Sequence, residues 1–193
     1  HPPGQAPAYE TLHSAINQLN VNAASNPSNG GNGTLGHLVL TLGQATYQSF
    51  STGNVAYPQP VAPVPLVIPQ GTTAAMIAKL RRDHDDTKAT FKLYQAVDAA
   101  LKKQLLDATD ETYLTSLNDH NTGFARVTTR TLIKHLYTNY GRINANALTD
   151  NENMMKKPWD VTSPIELLFA QIDDGQDYAM AGGEPYSNPR LIR

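Results

Sequence analysis

The chain has 193 residues, 40% of them hydrophobic, with 15 lysines and arginines against 17 acids and no cysteine. That length suits one large domain or two small lobes, and the missing cysteine excludes disulfides, thiolate zinc sites and cysteine nucleophiles. A net charge of −2 is not that of a strongly basic nucleic-acid-binding domain.

The charge is unevenly placed. Residues 1–70 hold one charged side chain, Glu10, and nine of the thirteen prolines. All the lysines and arginines follow residue 71. The first third is therefore a different kind of polymer from the rest. No N-terminal segment joins a basic start to a long apolar stretch, as a secretory signal would. The run Val61–Pro69 is too short to span a bilayer and is broken by proline.

In "AYETLHSAINQL", Leu12, Ile16 and Leu19 recur at helical spacing. They predict a short amphipathic helix on an arm. A helix this short is marginal alone in water, so it needs a partner surface, such as one on a neighbouring subunit. Residues 20–33, dense in Asn, Ser and Gly, read as a flexible linker. "LGHLVLTLGQATYQSF" (35–50) fits a helix through Leu38, Leu42, Ala45 and Phe50, or a strand through Leu38, Leu40 and Leu42. Gly43 weakens both, and helix is favoured because everything downstream is helical. "YPQPVAPVPLVIPQ" (57–70) has five prolines, which exclude a helix or a central strand. It reads as an extended tethering loop rather than a ligand for a proline-recognition module.

From Gly71 the pattern changes. Met76, Leu80, Phe91, Tyr94, Val97, Leu101 and Leu105 form an apolar stripe. It belongs to one long helix, or to two meeting near "RRDHDD". Residues 110–117 give a short helix with Tyr113, Leu114 and Leu117 inward. Residues 127–141 give another, with Leu132, Leu136 and Tyr140 inward and Gly141 as its stop. Residues 146–157 carry Leu148, Asn151 and Met155 on one side, and Pro158 ends them. The last helix opens with Ser163, Pro164 and Glu166, the spacing of a capping box with proline at the first helical position. Its apolar face is Ile165, Leu168, Phe169, Ile172 and Ala179, and "YSNPRLIR" begins a further helix. The expected class is all-α.

Candidate chemistry is sparse. Glu166 is explained by its place in the helix's first turn. Asp173, Asp174 and Asp177 fall on its outer side, without the spacing of a calcium loop. His84, between aspartates, has the makings of a general base but no nucleophile beside it; a solvated turn explains it better. His135, beside the apolar stripe of its helix, reads as a satisfied half-buried histidine. None of the P-loop, zincin, nucleophile-elbow or dinucleotide patterns occurs. Basic pairs at 81–82, 102–103 and 156–157 are scattered among acids, with no interleaved aromatics for base stacking. The sequence thus predicts no catalytic residue, no cofactor and no metal, and a structural or interacting protein rather than an enzyme.

Several phrases resemble the Gag protein of copia-type long-terminal-repeat retrotransposons, notably those of diatoms and other algae. They are "LGHLVLTLGQATY", "LVIPQGTTA", "AVDAALKKQLLDATDETYLTSL", "VTTRTLIKHLYTNYG" and "PIELLFAQIDDGQDYA…GGEPYS". The likeness covers about residues 35–193 and rests on packing patterns. It implies a two-lobed, capsid-like helical fold that assembles in many copies into an intracellular, cytoplasmic particle around the element's RNA, with no membrane. On that mapping residues 1–33 are an arm, 34–141 the N-terminal lobe and 142–193 the start of a C-terminal lobe, cut short where related chains continue with more helices. With no zinc knuckle and no basic tail, RNA would be held by regions outside this sequence or by modest basic patches. Assembly contacts are expected at Leu12, Ile16, Tyr57, Phe124 and Trp159, though Trp159 also suits a staple holding the last helix to its core. Deleting residues 1–33 should then impair assembly without unfolding the core. The alternatives are a helical adaptor that binds a peptide or protein without forming a shell, and a small enzyme built on His84.

Overall fold

The computed structural model describes residues 7–186. The further helix expected from "YSNPRLIR" lies, apart from Tyr186, outside them. The described residues form seven α-helices and no named strand: α1 (Tyr9–Ser25), α2 (Val39–Leu42), α3 (Gln44–Phe50), α4 (Ala74–Ala108), α5 (Thr129–Tyr140), α6 (Ala145–Met155) and α7 (Glu166–Ala181). Two 3-10 turns, Glu111–Tyr113 and Thr115–Leu117, stand where the sequence predicts one short helix. The chain divides into two compact units, His1–Thr138 and Asn139–Arg193, where the sequence reading placed its boundary after Gly141.

The first unit is built on α4. Thr73 caps this helix by accepting the N–H of Met76 at 3.4 Å. It runs unbroken through "RRDHDD", deciding between one helix and two. Its buried residues, Val97, Leu101 and Leu105, all lie in its second half. Against that half packs α1, through Leu12, Ile16, Leu19 and Ala23. Asn22 adds a hydrogen bond to Gln104 at 2.9 Å. These residues therefore belong to a core, not to a free arm awaiting a neighbour. Burying four apolar side chains on one's own chain offsets the cost of ordering a short helix. Leu114 of the turns and Leu132, Ile133 and Leu136 of α5 complete the buried apolar set on this side.

The predicted linker is also held. Helix α1 continues to Ser25, and the loop beyond it is tied to the core. The hydroxyls of Ser28 and Tyr57 lie 2.7 Å apart, Asn32 bonds the carbonyl of Thr52, and His37 Nδ1 lies 3.1 Å from the carbonyl of Asn26. Gly30 shows why this loop is rich in glycine: a Cβ there would come within 2.3 Å of the Tyr57 ring. Gly43, at φ +80°, separates α2 from α3. The break turns Val39, Leu40, Thr41 and Tyr47 inward, while Ala45 and Phe50 of the predicted face are exposed.

The second unit is a hairpin of α6 and α7. Small residues let the helices approach. Gly175 and Ala179 are buried, and a Cβ on Gly175 would lie 2.3 Å from Met155 Cγ. Asn151 donates to the carbonyl of Gly175 at 2.8 Å. Gln171 donates to the carbonyls of Met154, Met155 and Lys157 at 2.9–3.3 Å, closing the end of α6. The expected capping box is absent. Helix α7 starts at Glu166 with no side-chain cap. Instead Asp160 gathers the preceding turn, accepting the N–H and hydroxyl of Thr162 at 2.9 and 2.8 Å. Ser163 is drawn into that turn through its own N–H, bonded to the Asp160 carbonyl at 2.8 Å.

Candidate functional site

The five expected contact residues do not converge. Leu12 and Ile16 are buried on the inner face of α1, beside a cavity of about 40 Å³ that Leu105 and Tyr113 also line. Tyr57 is 3% exposed, inside an aromatic cluster. Its ring meets Tyr47 edge-on at 5.3 Å, stacks with Tyr94 at 6.1 Å and lies 6.4 Å from His37. In this chain those three are core residues, where the sequence reading wanted exposed ones. Phe124 is half-buried, and its carbonyl accepts Lys102 Nζ at 3.3 Å. In the second unit Trp159 is half-buried with its Nε1 enclosed and unpartnered. Glu166, Asp173, Asp174 and Asp177 are all exposed. His84 is half-buried on α4, and among the described residues no group of three or more His, Asp or Glu could hold a metal ion. His135 is half-buried, its Nε2 3.1 Å from the carbonyl of Tyr113.

The larger described cavity, about 250 Å³, opens beside the aromatic cluster. Its wall includes Leu40, Gln44, Tyr94, Asp98, Thr128 and Arg130. Three of the polar groups there join two segments. Asp98 accepts the N–H of Thr129 at 3.3 Å, and its backbone carbonyl accepts the Thr129 hydroxyl at 3.0 Å, fixing the start of α5 on α4. Arg130 donates to the carbonyl of Thr41 at 2.6 Å, tying α5 to α2, with its guanidinium over Gly43. Gln44 donates to the carbonyl of Tyr57 at 3.0 Å. Burial, then the charge of Asp98 and the neighbouring Tyr57, raise the Tyr94 phenol above its ordinary value, against a hydrogen bond from Gln59. The cavity is thus a junction of helix-joining contacts.

What the sequence reading missed is on the surface. Along the proline-rich connector Val61, Val64 and Val67 are 77%, 77% and 79% exposed. In the second unit Leu167 and Phe169 are each 58% exposed, and Ile165 and Met180 are exposed as well. The sequence pattern places Phe169 and Ile165 inward. The signal against that was Gly175, which draws the buried seam toward the side shared with Ala179. No helix among the described residues is long and apolar enough to cross a membrane. Compared with models of known families, with curated proteins and with solved structures, the chain matches none.

Proposed function

We propose that this chain is a structural, self-assembling protein of the Gag capsid type, forming cytoplasmic particles from many copies of itself around RNA. The observation that carries the reading is exposed apolar side chains on each unit: the valines of the connector in the first, and Ile165 and Phe169, one turn apart at the start of α7, in the second. A run of exposed apolar side chains such as the connector's marks an interaction site. Two such surfaces on one chain allow it to join more than one neighbour, and repeated weak contacts then act together. The all-helical architecture and the phrases that resemble copia-type Gag proteins fit the same reading.

A helical adaptor that captures a peptide is the second reading. The cavity beside Tyr94, Asp98 and Arg130 favours it. Negative-stain electron microscopy of the purified protein across salt and concentration separates the two. Uniform shells or regular tubes are expected for a capsid-type protein; a small monodisperse species under every condition would remove that reading.

A further inference from the structure

The connector is buried with a period of three. Tyr57 is buried, Pro60, Pro63 and Leu66 are half-buried, and the residues between them are exposed. Three residues per turn is the repeat of the polyproline II helix, which prolines at 58, 60, 63, 65 and 69 favour. One edge of this strap lies on the protein. Val61, Val64 and Val67 form a second edge, facing outward.

The path of the chain identifies what the inner edge covers. Tyr57 stacks on Tyr94, the chain turns where Thr72 N–H meets the carbonyl of Pro69 at 3.3 Å, and Thr73 caps α4. The strap therefore runs back antiparallel along the first half of α4. That half is about 30 Å long from Ala74 to Tyr94, and fourteen residues of polyproline II reach about 43 Å, enough to cover it and turn. On the helix, Ile77, Leu80, His84, Phe91 and Tyr94 are half-buried along one stripe. Singly exposed valines are ordinary. Three in register on a stiff edge, in a segment without one charged residue, are not scatter.

We infer that the strap and the first half of α4 form a two-fold interface with a second copy of the chain, an inference that rests on the self-assembly reading. The charges of α4 select this occupant. "RRDHDD" (81–86) is basic at one end and acidic at the other. Laid antiparallel on itself it is self-complementary: Arg81 and Asp85, one turn apart on the same flank of α4, meet Asp85 and Arg81 of the next copy, as a two-fold axis requires. Both side chains are exposed, and among the described residues they make no ion pair, whereas Lys79 and Asp83 pair at 2.9 Å. With the strap's two ends fixed at Tyr94 and Thr73, its midpoint at Val64 falls toward the middle of this half of α4, the stretch that carries Arg81 and Asp85. A strip roughly 30 Å long and roughly 20 Å wide offers about 600 Å² per copy, near the ~800 Å² per partner of a standard stable interface.

The chain has no cysteine, so a single introduced one reports cleanly. In the intact chain Val64→Cys is expected to give a disulfide-linked dimer under mild oxidation, and Val21→Cys, exposed on α1, is not. Arg81→Asp should weaken association about tenfold by light scattering, and adding Asp85→Arg should restore it, because the two-fold axis regenerates both pairs. Circular dichroism checks that the helices persist. A Val64→Cys chain that links no faster than Val21→Cys, or a charge swap that fails to restore association, overturns the interface. If Val61→Ser/Val64→Ser/Val67→Ser still forms particles like those of the wild type, the interface fails and the self-assembly reading stands. A swap-responsive dimer that never grows larger supports the interface and removes the shell.

Discussion

Gly175 sits where two opposing effects can be weighed. Replacing a helical glycine by alanine gains about 1 kcal/mol of helix propensity. The added Cβ, however, would lie 2.3 Å from Met155 Cγ, and overpacking costs about 1–3 kcal/mol. Gly175→Ala is expected to destabilise the second unit by about 1 kcal/mol in urea unfolding, and Met155→Ala in the same chain should turn that loss into a gain relative to Met155→Ala alone. Tyr137 offers a titration. Burial, then Tyr9 at 6.2 Å, push its phenol up to about 12 from 10.0. Above pH 10 the unfolded chain loses this proton and the folded chain keeps it, so stability present below pH 10 drains away as pH rises toward 12. Tyr137→Phe should flatten that alkaline limb of the urea midpoint; an unchanged slope would contradict the assignment. Asp119 works at the acid end. The N–H groups of Thr122 and Asn121, at 2.8 and 2.9 Å, hold its carboxyl below its usual value. Its contribution is present above the unfolded-state value and lost as pH falls through the folded one, which a carbon-13 titration of the carboxyl reads directly. Such residues were only partly legible. Leu132 and Leu136 follow from periodicity, whereas Tyr47 and Tyr57 are buried by loops whose glycines allow close approach, a relation no local pattern carries.

Helix α1 shows how far local pattern reaches. Its inner face could be read from spacing alone, but whether that face met its own chain or another could not, because a partner surface leaves no mark in the helix that uses it. With Leu12, Ile16, Leu19 and Ala23 in the core, deleting residues 1–33 is now expected to unfold the first unit, with loss of far-ultraviolet ellipticity beyond the share of α1 itself. Intact remaining helices would show that α1 is dispensable. The strap and α4 make a second coupled pair. No residue of α4 from Ala74 to Ala96 is fully buried, so this half leans on the connector. Tyr57→Ala, costing about 3–5 kcal/mol as a buried aromatic truncation, should speed hydrogen exchange in residues 77–92 more than in 97–105. The start of α7 departs from its sequence pattern for a related reason. Ser163 has the spacing of a cap, but Asp160, three residues earlier, captures it in a turn of its own.

Across the whole chain, fold class was legible because helical periodicity runs through most of it, and the exposed apolar edges were not. A three-residue repeat of valines looks like a loop until its burial pattern is known, and the outward face of α7 depends on the seam set by Gly175. These two surfaces, one on each unit, are what the proposed self-assembly rests on. Sedimentation velocity of the intact wild-type chain over a hundredfold range of concentration tests it most directly. Mass should move from monomer through a dimer into large, discrete species as concentration rises, and Val61→Ser/Val64→Ser/Val67→Ser should hold the boundary at small species. A single species of monomer mass at every concentration and salt would contradict self-assembly.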